Sequence, residues 1–200
     1  MVFDTQNREE MAMTVPCVYH HQAGEENTQR TLEIAAYRAE ELGIKTVIVA
    51  STSGETGLRA ARIISAAKVV VVTHSTGFLK PDHQQLRPDL RKQIEEEGAK
   101  ILTCQHALGG VGRAVRKKLD TYELEEIIAY ALRIFGEGTK VAVEIALMAA
   151  DAGLASTQEP CISIGGTGRG ADTAILLRPA HAQNFFDMKI LEILAKPRLI

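Results

Sequence analysis

Four hydroxyl side chains, Ser51, Thr52, Ser53 and Thr56, fall within six residues, together with Gly54 and Glu55. A β-branched run, Thr46 to Val49, precedes them, and helix-favouring residues from Leu58 to Ile64 follow. Strand, hydroxyl-rich turn and helix together make an anion site. The first helical amides have no internal partner and carry the positive end of the helix dipole. Gly54 and Gly57 let the chain approach a phosphate closely. The same residues also support a plain capping box, Thr52-x-x-Glu55, and a carboxylate at Glu55 repels an anion unless it turns away. The Lys of a Walker A loop is absent, which argues against a nucleoside triphosphatase.

A second glycine-rich run, Gly165, Gly166, Thr167, Gly168, Arg169 and Gly170, leads to Asp172. It reads either as a hairpin tip or as a backbone that comes close to a ligand, with Arg169 adding charge at the rim. Gly110-Val-Gly112 follows a strand, but Val115 stands where a dinucleotide fold needs Gly or Ala. The strand ending at Thr73-His74 also lacks the acid that would hold a ribose. NAD is therefore disfavoured. His74, Thr76, Gly77 and Phe78 form another loop, in which Phe78 is a candidate stacking ring. His106 is a candidate for proton transfer or hydrogen bonding, with a packed, satisfied histidine as the alternative. Within an apolar stretch, Glu144 and Asp151 lie seven residues apart with Met148 between them, so each must be paired or face a cleft. Lys140, four residues before Glu144, offers the paired solution. The catalytic candidates are His106 and Glu144.

Hydrophobic periodicity supplies the elements that would position these groups. It predicts helices over 27–42, 55–67, 88–97, from Asp120-x-x-Glu123 through Ile134, over 139–152 and over 187–195. It predicts strands over 45–51, 69–73, 100–104, 161–164 and 173–177. Helix 139–152 is apolar nearly all round and should be buried. Only residues 165–172 separate the last two strands, too few for a helical crossover, so the final strand should run antiparallel. Phe185 and Phe186 read as anchors for the last helix. The fold class is α/β, a three-layer αβα open sheet, mostly parallel with an antiparallel last strand. Ligands in such sheets bind beyond the carboxyl ends of the strands, where the loops 51–57, 74–78, 105–110 and 165–170 arrive.

With 46% hydrophobic and 24% charged residues and a net charge of −2, the 200-residue chain suits one globular domain. The expectation is a flexible extension over 1–16 and a single domain over 17–200. Near-neutral charge without a basic stripe argues against nucleic acid, and the lack of a long apolar run argues against a membrane. Cys17, Cys104 and Cys161 are far apart and read as reduced, buried thiols of a cytoplasmic protein. Adjacent His20 and His21 project to different sides, and no spacing suggests a metal site.

Several stretches carry a family resemblance: Gly24–Thr28, Val49–Gly54, Val71–Phe78, Lys140–Ile145, Met148–Gly153, Gly168–Ala174, Phe185–Met188 and Lys196–Arg198. Taken together, from about Cys17 to Arg198, the chain resembles stand-alone archaeal and bacterial proteins similar to the carboxyl-terminal α/β domain of pyruvate kinase. The resemblance implies bound flavin mononucleotide (FMN) with an undefined reaction. It also implies a phosphate on Ser51–Gly54, since a similar loop of pyruvate kinase holds a phosphate of its allosteric sugar bisphosphate. The catalytic barrel of that enzyme has no counterpart here, so its phosphoryl transfer is not inherited. The leading expectation is an FMN-binding protein, with an oxidoreductase role open, whose partner is a small phosphorylated ligand. Ser51 to Thr56 would take the phosphate. His74, Thr76–Phe78, His106 and Gly165–Asp172 would surround the rest. The alternative is a non-catalytic sensor of a phosphorylated metabolite. Hydrolysis by His106 with Glu144 or Asp151 lacks a nucleophile. A homo-oligomer is compatible with the chain.

Overall fold

A computed structural model describes residues 13–198. Most of the segment read as an N-terminal extension lies outside the described residues. Seven strands, β1 (Val18–His20), β2 (Thr46–Ala50), β3 (Lys68–Thr73), β4 (Lys100–Thr103), β5 (Cys161–Gly165), β6 (Thr173–Arg178) and β7 (Lys189–Pro197), form one sheet in the order β1-β7-β6-β5-β2-β3-β4. The helices are α1 (Thr28–Leu42), α2 (Glu55–Ile63), α3 (Pro88–Glu96), α4 (Val111–Leu119), α5 (Leu124–Arg133) and α6 (Glu137–Asp151).

Strand alternation sorts these helices into two layers. Val47, Val49, Val69, Val71, Ile162 and Ile164 point to one face and pack with Leu32 of α1, Leu58 of α2 and Ile94 of α3. Ile48, Val70, Val72, Ile175 and Leu177 point to the other and pack on Ala142, Ala146 and Ala149 of α6. Small alanines let α6 lie close on the sheet, and it is buried over nearly its whole length. The sheet runs parallel except at β6, which is antiparallel to both β5 and β7. The chain moves outward from β2 to β3 and β4, then returns through α4–α6 to β5 on the far side of β2. The strand order therefore reverses between β2 and β5.

Three expectations are overturned. The segment predicted as a final helix is β7, paired with β6 (Ile175 with Ile193, Leu177 with Ile190) and with β1 (Val18 with Ala195). Leu, Glu, Lys and Ala favour a helix weakly. A seat between two strands, which buries Leu194 and Ala195, outweighs that preference. Arg38 of α1 clamps the strand through two hydrogen bonds to Glu192, at 2.9 and 2.6 Å. The anchors change accordingly: Phe185 packs against the core, while Phe186 is 84% exposed. The second correction is α4, a helix where periodicity predicts none and the sequence shows only a glycine cluster. The third concerns the cysteines: only Cys161 is fully buried; Cys17 and Cys104 are partly exposed, and all are free thiols. No helix among the described residues is long and apolar enough to cross a membrane.

Candidate functional site

The loop from β2 to α2 is shaped by close packing. Gly54, at φ 106°, precedes the helix, and a Cβ there would lie 2.8 Å from Leu86 and Leu90 side chains. A Cβ at Gly57 would lie 2.6 Å from Val71, so the first turn of α2 is pressed onto β3. The capping box does not form. Instead the buried Ser51 hydroxyl accepts the Gly57 amide at 3.0 Å, and Ser53 Oγ sits 3.5 Å from the Glu55 amide. The amides of Thr52, Gly54 and Thr56 donate to no group among the described residues. Glu55 faces away from this nest toward Arg87, 3.4 Å from its guanidinium. The helix N-terminus is thus left free to meet an anion.

Thr52 carries the loop to its neighbour: its hydroxyl lies 3.5 Å from His74 Nε2. His74 Nδ1 is 2.9 Å from Gln85 Oε1, so the proton sits on Nδ1 and Nε2 faces Thr52 as an acceptor. Gln84 fixes the same segment through His74 O at 3.0 Å and Thr76 Oγ1 at 3.5 Å, and Gly77 donates to His83 O at 3.0 Å. Burial, the nearby His106 and Arg113 push the His74 pKa down against the pull of Gln85 and Glu144, which keeps the ring neutral near pH 7. His74, Phe78 and His106 form a ring cluster. Centroids are 4.2 Å apart for His74–Phe78 and 5.0 Å for the stacked Phe78–His106 pair. The Arg113 guanidinium lies 4.9 Å over Phe78.

Glu144 stands behind His106. It accepts Lys140 Nζ at 2.5 Å and the Leu108 amide at 2.9 Å, and lies 3.7 Å from His106 Nδ1. Burial raises its pKa, but His106 and Lys140 outweigh that and hold the carboxyl down to about 2. The His106 contact is longer than a hydrogen bond, so the Lys140 ammonium and the Leu108 amide are the firmer holds. His106 Nε2 is buried with no partner. Asp151, two turns further along α6 and about 10 Å away by helical rise, meets His181 Nδ1 at 3.2 Å and the Ala182 amide at 3.1 Å. It belongs to the other end of the sheet.

The Gly165–Gly170 loop leaves β5 beside the β2 loop, since Val49 pairs with Ile164. Asp172, fully buried, holds its shape by accepting the amides of Gly24 and Thr167, each at 3.1 Å, and the Thr173 hydroxyl at 2.8 Å. A Cβ at Gly166 would strike Gly170 O at 2.4 Å, and one at Gly170 would strike Thr28 Oγ1 at 2.3 Å. Gly168, with open space around it, and Arg169 form the exposed tip. Sequence reasoning missed Arg113, Gln84 and Gln85. A cation directly after the Gly110-Val-Gly112 run could have pointed to Arg113, whereas nothing local marks the glutamines.

The family model described as pyruvate kinase, alpha/beta domain, matches residues 29–177. Among solved structures, Cryptosporidium parvum pyruvate kinase in complex with ADP is similar at 14% identity and a TM-score of 0.38. That match covers 82% of this chain and 23% of the other. The chain therefore spans less than a quarter of that enzyme's length. The family match runs from the start of α1 to near the end of β6, across both helical layers and the strand-order reversal. The chain belongs to the pyruvate kinase α/β-domain family.

Proposed function

We propose that the chain binds a phosphorylated small molecule carrying an aromatic ring, FMN in the leading case. The observation that carries this reading is the Thr52–His74 contact. It joins the open amides at the start of α2 to the cluster of His74, Phe78 and His106. An anion-binding helix end and a stacking surface thus adjoin at the carboxyl ends of neighbouring strands. The residues fit such a ligand: the carboxylate in the first turn of α2 faces Arg87, and the buried His106 Nε2 has its hydrogen-bonding capacity unused among the described residues.

In this reading Thr52, Ser53 and the amides of Gly54 and Thr56 take the phosphate. Phe78 and His106 take the ring, and the Gly168–Arg169 tip closes the β5 side. A bound flavin would supply electron transfer, and the protein would orient the ring and set its surroundings. Glu144, held by Lys140, sets a negative charge 3.7 Å behind His106. Protein purified without added ligand should absorb as a flavin. Thr52→Ala with Ser53→Ala should weaken FMN by about 1–3 kcal/mol while leaving riboflavin, which lacks the phosphate, nearly unchanged. A colourless protein that binds a sugar phosphate through the same residues would favour the metabolite sensor. Equal weakening of FMN and riboflavin would place the phosphate elsewhere.

A further inference from the structure

Beside this loop cluster, α4 and α5 flank an open pocket of about 290 Å³ lined by Arg113, Arg116, Lys117 and Arg133, with Tyr130 and Glu126. Its charges are unevenly matched. Arg116 Nε donates to Glu126 Oε1 at 2.8 Å, and Arg133 pairs with Glu137. Among the described residues neither Arg113 nor Lys117 has a carboxylate partner. Glu126 has only 10% of its side chain exposed, and its Oε2 is buried without a hydrogen-bond partner. A buried carboxylate oxygen left bare is costly and calls for a donor. The four cations lining the same pocket disfavour a cationic donor such as an ammonium. A simple anion would satisfy Arg113 and Lys117 but meet Glu126 as a like charge.

One ligand chemistry reconciles the two: a phosphomonoester that also bears a hydroxyl. We infer that the α4–α5 pocket is a second ligand site, selective for a polyol or sugar phosphate. Its phosphate lies between Arg113 and Lys117, and its hydroxyl donates to Glu126 Oε2. Arg113 is shared, since its other side covers Phe78. The site shares Arg113 with the ring cluster, but its other contacts, Lys117 and Glu126, touch neither the Ser51–Thr56 loop nor the rings, so it stands apart from the flavin reading.

Titration calorimetry with sn-glycerol 3-phosphate and with inorganic phosphate tests this, carried out on the Thr52→Ala/Ser53→Ala background, which weakens binding at the α2 loop, so that the response to Lys117 and Glu126 substitutions reports on the α4–α5 site. Glycerol 3-phosphate should bind about tenfold more tightly than phosphate, the worth of one added hydrogen bond. Lys117→Ala, a substitution on an exposed helix face, should weaken both probes severalfold. Glu126→Gln should erase the preference while phosphate binds as well or better. Should Glu126→Gln fail to fold, Lys117→Glu must abolish binding of both probes. No binding in the millimolar range, equal affinity for the two probes in the parent, or indifference to Lys117→Ala would each overturn the assignment.

Discussion

Replacing Glu144 by Gln tests whether this carboxylate is held as an ion. The carboxyl lies at about 2 in the folded chain against an ordinary 4.5, and its side chain is 4% exposed. A gap of roughly 2.5 in pKa corresponds to about 3 kcal/mol of stability. The sign follows from the direction. A lowered folded pKa stabilises the protein above its ordinary value, and that contribution is lost as pH falls from near 4.5 toward 2. The replacement amide would carry no charge at any pH and would leave the Lys140 ammonium, itself 6% exposed at the side chain, without its counter-ion. Breaking one side of a buried pair costs about 3–5 kcal/mol. Glu144→Gln should therefore lower stability by about 3 kcal/mol near pH 7, roughly 6–12 °C in Tm for a chain of this size. The deficit should shrink as pH approaches 2, where the parent also loses the charge. Urea unfolding of both proteins near pH 7 and near pH 3 measures this directly. A deficit that is the same at both pH values, or below about 1 kcal/mol near pH 7, would show that the pair is not held as described.

The glycines of the candidate site make separable predictions. Gly57→Ala places a methyl 2.6 Å from Val71 and should cost about 1–3 kcal/mol in urea unfolding as α2 lifts from the sheet; an unchanged midpoint would refute that packing. Gly166→Ala meets backbone at 2.4 Å and should destabilise the loop, whereas Gly168→Ala meets nothing and should cost only about 1 kcal/mol for its φ of 76°. If the tip closes over ligand, Gly168→Ala weakens FMN in a folded protein; unchanged affinity removes the tip from the site. Asp172→Asn withdraws charge from two amides and a hydroxyl and should lower stability by at least about 2 kcal/mol, with proteolysis appearing first at the Gly165–Gly170 loop. Intact stability would mean that those bonds are dispensable.

Elements whose local preference agrees with their surroundings are legible in the sequence. The valines of β3, the polar-to-apolar period of α1 ending at left-handed Gly43, and the short link that forces β6 antiparallel all follow from it. The failures lie where partners distant in the chain decide. Residues 189–197 form a strand because β6 would otherwise expose an unpaired edge and β1 needs a seat, and no window around Leu194 contains either fact. The α4 segment hides behind its glycines. Gly112 is buried where a Cβ would lie 2.2 Å from Glu125, so the residue that looks like a nucleotide signature is a helix-packing contact.

That last point changes how the site itself must be weighed. Glycines at 54, 57, 166 and 170 each have a neighbour that excludes a side chain, which accounts for them without any ligand. Glycine richness, the most conspicuous feature of these loops, therefore carries little weight for binding. The unmatched polar groups carry more. The amides of Thr52, Gly54 and Thr56 and the buried His106 Nε2 have no partner within the described chain; water can meet the helix amides, but a buried ring nitrogen left bare is costly. They lie on either side of the Thr52–His74 contact. A ligand that met only the amides would leave His106 bare, and one that met only the rings would leave the helix end to water. The unmatched groups therefore favour a molecule with an anion at one end and a hydrogen-bonding ring at the other.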